Sequence, residues 1–324
     1  MRLKMKVWFM AIGSLMTVAT AAFADDYPTR TVKLLVGYAP GGAPDTVARI
    51  LGQRLSQILK QSFIVENRPG AGGTLAVNQT AKASADGYTL SVADVGELVI
   101  SRYIYKALPY DTNKDFTPIG LAVLAPMVLM SNAKTTKIKT LADLIRQAKA
   151  SPGTINYGSS GIGTIHHIAM EMFKSEAGLD ITHIPYKGGG QSVPALLGGE
   201  VQVGLAGFTL AAPYGKSGQV NLLAVTSAKR FPDAPDVPSL SEFYNGYNYA
   251  SEIGIVAPAG LSPEIVAKLS GAIKTALEEP ETKEKLRTIG VFPSWLSPQD
   301  YAENLHQNLT KYKRAVEIAA ITPN

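Results

Sequence analysis

Twice in this chain a short apolar strand runs through a glycine turn into a helix, and this recurrence restricts the possible architectures more than any other feature. In the first instance residues 31–36 read as a buried strand and Pro40-Gly41-Gly42 as a turn. Val47, Ile50, Leu51, Leu55, Ile58 and Leu59 then form the apolar stripe of a helix, with Pro44 in its first turn. In the second, residues 155–157 lead through Gly158-Ser159-Ser160-Gly161-Ile162-Gly163-Thr164 into a helix over 165–177. Further strands at 63–66, 88–93, 181–186, 201–205, 222–226 and 253–257 alternate with helices at 141–150 and up to Leu197, and two helices close the chain. Residues 119–131 read as one buried strand crossing between two halves, and the proline-rich 231–238 as a rigid surface connection. Such alternation predicts an α/β protein with mostly parallel sheets. Each half then aims loop-helix ends at a shared cleft, where open α/β sheets bind ligands.

The amino terminus reads as an export signal. Arg2, Lys4 and Lys6 precede an apolar run over 7–23, and Ala22-Phe23-Ala24 fits the small-x-small rule of signal peptidase. The apolar core is short for a span of about 20 residues, and Asp25-Asp26 follows at once. The expectation is cleavage after Ala24 and release of the remainder into the periplasm. No later stretch is long and apolar enough to cross a bilayer. Cleavage removes three of the 31 basic residues and leaves 28 against 26 acidic ones. That balance, without a Lys/Arg cluster interleaved with aromatics, argues against a nucleic-acid partner. The remaining 300 residues exceed what one core usually supports, so two lobes are expected. The absence of cysteine excludes disulfides, thiolate nucleophiles and Cys-based metal sites together.

A helix N-terminus behind a glycine turn attracts anions, because its first N–H groups lack internal partners and the helix dipole adds partial positive charge. Gly41 and Gly42 in one half, and Gly161 and Gly163 in the other, therefore become candidates for holding a carboxylate, with Ser159, Ser160 and Thr164 as hydroxyl donors. Each of these glycines is equally what a tight turn requires. Catalytic patterns are missing: Gly158-Ser159-Ser160-Gly161 lacks the G-x-S-x-G spacing of a hydrolase elbow, and Gly161-Ile162-Gly163 lacks the third glycine of a dinucleotide fingerprint. Adjacent His166-His167 point about 100° apart on a helix, a poor arrangement for a shared metal. No metal or cofactor is expected.

Several stretches then fall into a known pattern. Gly37-Tyr38-Ala39-Pro40-Gly41-Gly42 with Asp45, Val65-Glu66-Asn67-Arg68-Pro69-Gly70-Ala71-Gly72-Gly73, and Asp86-Gly87-Tyr88-Thr89-Leu90 are three of them. Leu108-Pro109-Tyr110-Asp111, Pro185-Tyr186-Lys187-Gly188, Ala224-Val225-Thr226-Ser227 and Ala257-Pro258-Ala259-Gly260 complete the set. In this order, across nearly the whole chain after the leader, they resemble the Bug family of extracytoplasmic receptors, the binding components of tripartite tricarboxylate transporters. The resemblance implies a two-lobed periplasmic binding protein of the Venus-flytrap type. Its expected division is a signal peptide over 1–24, one lobe over 25–127 and 249–324, and a second over 128–248. It further implies a ligand carboxylate held by backbone amides and hydroxyls of Tyr38, Gly41, Gly42 and Ala43 on one side and Ser159, Ser160, Gly163 and Thr164 on the other, with ordered water bridging. His167 corresponds to a family histidine expected to orient or pack, and Asp45 to a capping or turn-bonding residue.

Three departures from the family pattern bear on the ligand. Glu97 stands where a small polar or aliphatic residue is usual, with Asp94 just before it; Ala206 replaces a common aspartate; Glu252 replaces a common tryptophan. If Glu97 or Glu252 lines the cleft, like-charge repulsion disfavours a di- or tricarboxylate, and the ligand carries a compensating cationic group or a single carboxylate; otherwise both are solvated rim residues. The expected function is capture of a small organic acid or amino acid by a monomer and its delivery to membrane transporter components. Two other readings stay open: an exported α/β hydrolase or esterase using Ser159 or Ser160 with His167, and a sensor that presents ligand to a membrane kinase.

Overall fold

The computed structural model describes residues 27–186 and 188–321; the expected leader and its cleavage after Ala24 lie outside them. In chain order the first elements are β1 (Val32–Val36), α1 (Ala43–Leu59), β2 (Phe63–Asn67), α2 (Thr74–Ala81), β3 (Thr89–Asp94), a π-turn over Gly96–Ile100 running into α3 (Ser101–Ile104), and β4 (Phe116–Ala125). Next come β5 (Met127–Asn132), α4 (Leu141–Ala150), β6 (Asn156–Ser159), α5 (Ile165–Ala177), β7 (Thr182–Pro185), α6 (Gly189–Gly198), β8 (Val203–Gly207), α7 (Phe208–Lys216) and β9 (Val220–Val225). The chain returns through β10 (Ser251–Pro258) to α8 (Pro263–Glu278), α9 (Pro280–Thr288), β11 (Phe292–Leu296) and α10 (Pro298–Ile318).

These elements make two sheets, one ordered β11-β4-β10-β3-β1-β2 and the other β7-β6-β8-β5-β9, flanked by helices. The two-lobed α/β architecture is as expected, but the sheets are mixed rather than mostly parallel. β1 runs parallel to β2 and β3, and β6 parallel to β7 and β8, whereas β4, β5, β9, β10 and β11 join antiparallel. Parallel pairs need a long crossover within one sheet. The antiparallel members include the strands that carry the chain between lobes and so reach their neighbours from the other sheet. The single strand expected over 119–131 is in fact β4 and β5, in different sheets, separated at Pro126. Proline has no N–H for a ladder and a fixed φ, so pairing stops there.

Local chemistry sets the helix starts. α1 begins at a Gly42 cap followed by Pro44, and buries Val47, Ala48, Leu51 and Leu55. α5 is capped by the Thr164 hydroxyl, which accepts from the His167 amide, and ends at Gly178 in the left-handed region, φ 62°. α10 is capped by Ser297, and its face of Tyr301, Leu305, Leu309 and Tyr312 joins Leu98 and Ile100 of one lobe and Ile168 and Phe173 of the other in one apolar cluster. The C-terminal helix thus packs against both lobes.

In each sheet one strand has parallel neighbours on both sides, β1 between β2 and β3 and β6 between β7 and β8. The connections after β1 and β3, and after β6 and β8, leave in opposite directions. That is a topological switch point, and the crevice outside the strand ends there is where such sheets bind ligands.

Candidate functional site

A cavity of about 650 Å³ lies where the two switch points face each other. Lobe one contributes Tyr38 and Gly41 to Thr46 after β1 (Asp45 excepted), Gly72, and Asp94 and Gly96 at the end of β3. Lobe two contributes Ser160 to His166 after β6, Gly188 and Gly189 before α6, and Ala206, Gly207 and Leu210 around the start of α7. The crossing segments add Ala125, Met127 and Ser251, so the chain passes the cavity each time it changes lobe. Ile104, Tyr105, Met127, Ile162 and Leu210 make much of the remaining wall apolar. No lysine or arginine lines it among the described residues.

Four helix N-termini open onto this space, those of α1, α5, α6 and α7. Many loop donors there are already in use. Gly41 N donates to Asp45 Oδ2 at 2.9 Å, Gly161 N to Ser159 Oγ at 3.1 Å, and Gly163 N to His167 Nδ1 at 3.1 Å. The Thr164 hydroxyl donates to Gly161 O at 2.8 Å while capping α5, so its proton is committed as well. The amides of Gly42, Ala43, Ile165, His166 and Gly189 take no partner among the described residues. First-turn amides point outward along their helix axis, and these five belong to cavity-lining residues. The Ser160 hydroxyl likewise makes no hydrogen bond to a described residue. The anion-binding capacity therefore sits in first-turn amides and one serine, supported by helix dipoles.

Beneath each loop a buried network fixes its shape. In lobe one the Asp45 carboxylate, almost fully buried, accepts from Gly41 N, from Asn67 Nδ2 at 2.9 Å and from Arg49 Nε at 3.1 Å. Burial alone pushes this carboxyl up, but the hydrogen bonds from Arg49, Gly41 and Asn67 outweigh it and hold it below its usual range. Asn67 Nδ2 also reaches the Tyr38 carbonyl at 3.0 Å, tying the loop after β1 to β2. In lobe two Ser159 Oγ lies 2.6 Å from His183 Nε2, and His183 stacks on His167 with ring centroids 4.0 Å apart. Burial pulls both imidazoles down to about 4, so they are neutral at physiological pH.

Seven of the nine expected site residues, Tyr38, Gly41, Gly42, Ala43, Ser160, Gly163 and Thr164, line the cavity. Ser159 and Glu97 do not. Ser159 is fully buried as the last residue of β6 and braces the turn rather than facing the cleft. Its partner is His183, not the His167 considered for a hydrolase, and neither is among the cavity-lining residues. Glu97 is also fully buried, under the π-turn. Its Oε2 accepts from Asp94 N at 2.8 Å, and its Oε1 occupies the space a side chain on Gly37 or Gly73 would fill. Those two glycines are needed to house it: a Cβ on Gly37 would stand 2.0 Å from Oε1. Burial and then the neighbouring Asp94 carboxylate push Glu97 well above its usual range. Glu252 lies away from the cavity, where Asn308 Nδ2 donates to it at 2.7 Å. The acid facing the ligand space is Asp94. Arg68 pairs with Glu66 at 3.0 Å and braces its own strand.

Sequence reasoning missed Gly188 and Gly189, Gly207, Ser251, Tyr105 and Met127 as cavity residues. Glycines ahead of α6 were visible as a turn, but nothing local marks Ser251 or Met127, which arrive through the crossing.

The two-lobed α/β fold with helix N-termini facing a cleft is that of periplasmic binding proteins. The profile of the Tripartite tricarboxylate transporter family receptor matches residues 47–321, and the chain belongs to that family, the Bug-type receptors. It is 33% identical over 283 residues to Protein BugT of Bordetella pertussis, covering 87% of this chain and 86% of that one. Among solved structures it is similar to R. palustris Rpa4515 with adipate, at 34% identity and a TM-score of 0.85, covering 92% of this chain and all of that one. It is also similar to MatC from Rhodopseudomonas palustris with bound malate, at 28% identity and a TM-score of 0.77, covering 90% of this chain. The family consists of receptors, not enzymes.

Proposed function

We propose that this chain is a periplasmic receptor that captures a small carboxylate-bearing molecule between its lobes and hands it to a tripartite tricarboxylate-type transporter. The observation that carries this reading is the convergence of unpartnered first-turn amides from both lobes on one cavity without a single lysine or arginine in the described lining. The carboxylate sits between Gly42 and Ala43 on one side and Ser160, Ile165 and His166 on the other. Because it touches both lobes, it favours their closed arrangement, and closure is what a transporter can read. The adipate and malate bound by the solved relatives support a carboxylate ligand.

The test is a thermal-shift and calorimetric screen of ligand-stripped protein against straight-chain and hydroxylated carboxylates and amino acids. A ligand at about 100 times its Kd raises stability by roughly 2.7 kcal/mol. Ser160→Ala removes one hydroxyl committed to nothing else and is expected to weaken the best ligand about tenfold, near 1.4 kcal/mol, with unfolding of the empty protein unchanged. Thr164 is a poorer probe, because its hydroxyl caps α5 and its loss would change stability too. Silence across the whole acid panel refutes the reading.

A further inference from the structure

We infer that Asp94 sets the specificity of this cleft by selecting a ligand that carries a cationic donor, an ammonium group, beside its carboxylate; the inference rests on the receptor reading above. Asp94 is the only carboxylate among the described cavity-lining residues, and it is nine-tenths buried. Its Oδ1 is well supplied: it accepts from Gly96 N at 2.7 Å, Tyr38 Oη at 3.2 Å and Glu97 N at 3.4 Å. Its Oδ2 takes only the Ser251 hydroxyl, at 3.2 Å. A carboxylate oxygen has room for more than one donor, so one side of this group remains under-bonded at a cavity wall. No described lysine or arginine forms an ion pair with it.

The alternative role, capping the turn at Gly96, does not account for a charge. A cap needs a short acceptor, and Asn or Ser serve as well as Asp. A carboxylate held away from water with no counter-charge is costly unless something else supplies the charge. Tyr38 and Ser251, the two hydroxyls on Asp94, are themselves cavity residues from the first lobe and the return crossing, so an ammonium here contacts acceptor oxygens on three segments. Behind Asp94, Glu97 packs against Gly37 and Gly73 with no cation among its described partners, and burial together with the adjacent Asp94 favours its protonated form. Burial pushes Asp94 up as well, against the hydrogen bonds from Gly96, Glu97, Tyr38 and Ser251, and a bound ammonium is what would favour its charged form. With first-turn amides holding an anion and Asp94 a cation, the site fits a zwitterion with an apolar section between or beside its charges, matching Ile104, Met127 and Leu210.

The test compares matched pairs on the full protein by isothermal titration: succinate with aspartate, glutarate with glutamate, adipate with its α-amino derivative, and adipate with ε-aminocaproate. The wild type is expected to bind the aminated member of its best pair at least tenfold more tightly, and Asp94→Asn, which keeps the shape and the cap, to erase or reverse that preference. A wild type that prefers the plain diacid in every pair overturns the inference while leaving the receptor reading intact, and so does an unchanged preference in Asp94→Asn. Binding of no member overturns the inference, and silence across the wider acid panel as well overturns the receptor reading itself. The wild-type comparison decides the question even if the variant folds poorly.

Discussion

Glu97→Gln should make the protein more stable, and by an amount that grows with pH. The glutamate is fully buried, its Oε2 takes the Asp94 amide, and its other oxygen is packed against Gly37 and Gly73. Burial, and the Asp94 carboxylate next to it, raise its pKa in the folded protein. An unfolded glutamate releases its proton near pH 4.3, and each further pH unit through which the folded group keeps it costs ~1.4 kcal/mol. The sign follows: the unfolded state binds fewer protons, so this group lowers stability progressively as pH rises above that point. Glutamine has the same shape and nothing to ionise. Urea unfolding of both proteins from pH 4 to pH 7.5 should show coincident stabilities at the acid end and a gap in favour of the variant that widens as pH rises. Every other titrating group is common to both and cancels in the difference, apart from Asp94, which loses an acidic neighbour and shifts the gap in the same direction. Parallel curves, or a variant less stable at neutral pH, would show that Glu97 is ionised in the fold.

The histidines act in the opposite pH range. His166, His167 and His183 are each pulled down to about 4 by burial, while an unfolded histidine titrates near 6.5. The unfolded state therefore binds more protons between those values, and stability should fall as pH drops through that window. His183→Gln should flatten the fall by up to ~1.4 kcal/mol per pH unit; equal slopes in urea titrations of both proteins would contradict neutral burial. Gly254→Ala places a Cβ 2.4 Å from the buried Tyr301 ring and should cost about 1–3 kcal/mol through overpacking. Tyr301→Leu in the same background should recover part of that loss, and strict additivity in the double-mutant cycle would mean the two do not meet.

The parts legible in the sequence were those governed by local rules. α4 and α5 fall on the residues expected, 141–150 and 165–177, and the structure adds their caps, Thr140 and Thr164. The loops after β1 and β6 were recognisable because a glycine turn precedes a helix in both, with Pro44 in the first turn of one and Thr164 capping the other. What stayed hidden depends on the other lobe. The chain from 119 to 131 is apolar throughout, and only the partner strands reveal that Pro126 divides it between two sheets. Two closing helices were expected where there are three and a strand; β11 contains Pro293, which an edge strand tolerates but a strand pattern conceals. α7 carries Pro213 inside it and was missed for a similar reason. Among the acids, charge alone could not say that Asp94 meets the cavity while Glu97 turns beneath it, since the one ends β3 and the other lies only three residues on, inside the π-turn.

The cleft explains why side-chain patterns say so little about its chemistry. The polar side chains nearest the loops, Asp45, Ser159, Thr164 and His167, are spent holding backbone in place, which leaves first-turn amides and the Ser160 hydroxyl as the groups of the proposed binding site. One helix terminus contributes only about 0.3–1 kcal/mol to an anion, and a hydrogen bond to a charged group about 1.5–3 kcal/mol. A carboxylate touching one lobe is therefore held weakly and exchanges freely. The same carboxylate touching both adds the two sets of contacts, so tight binding and lobe closure become one event. Discrimination among acids then falls to whatever stands on the wall beyond the amides, and in this chain that position is held by Asp94 with Tyr38 and Ser251.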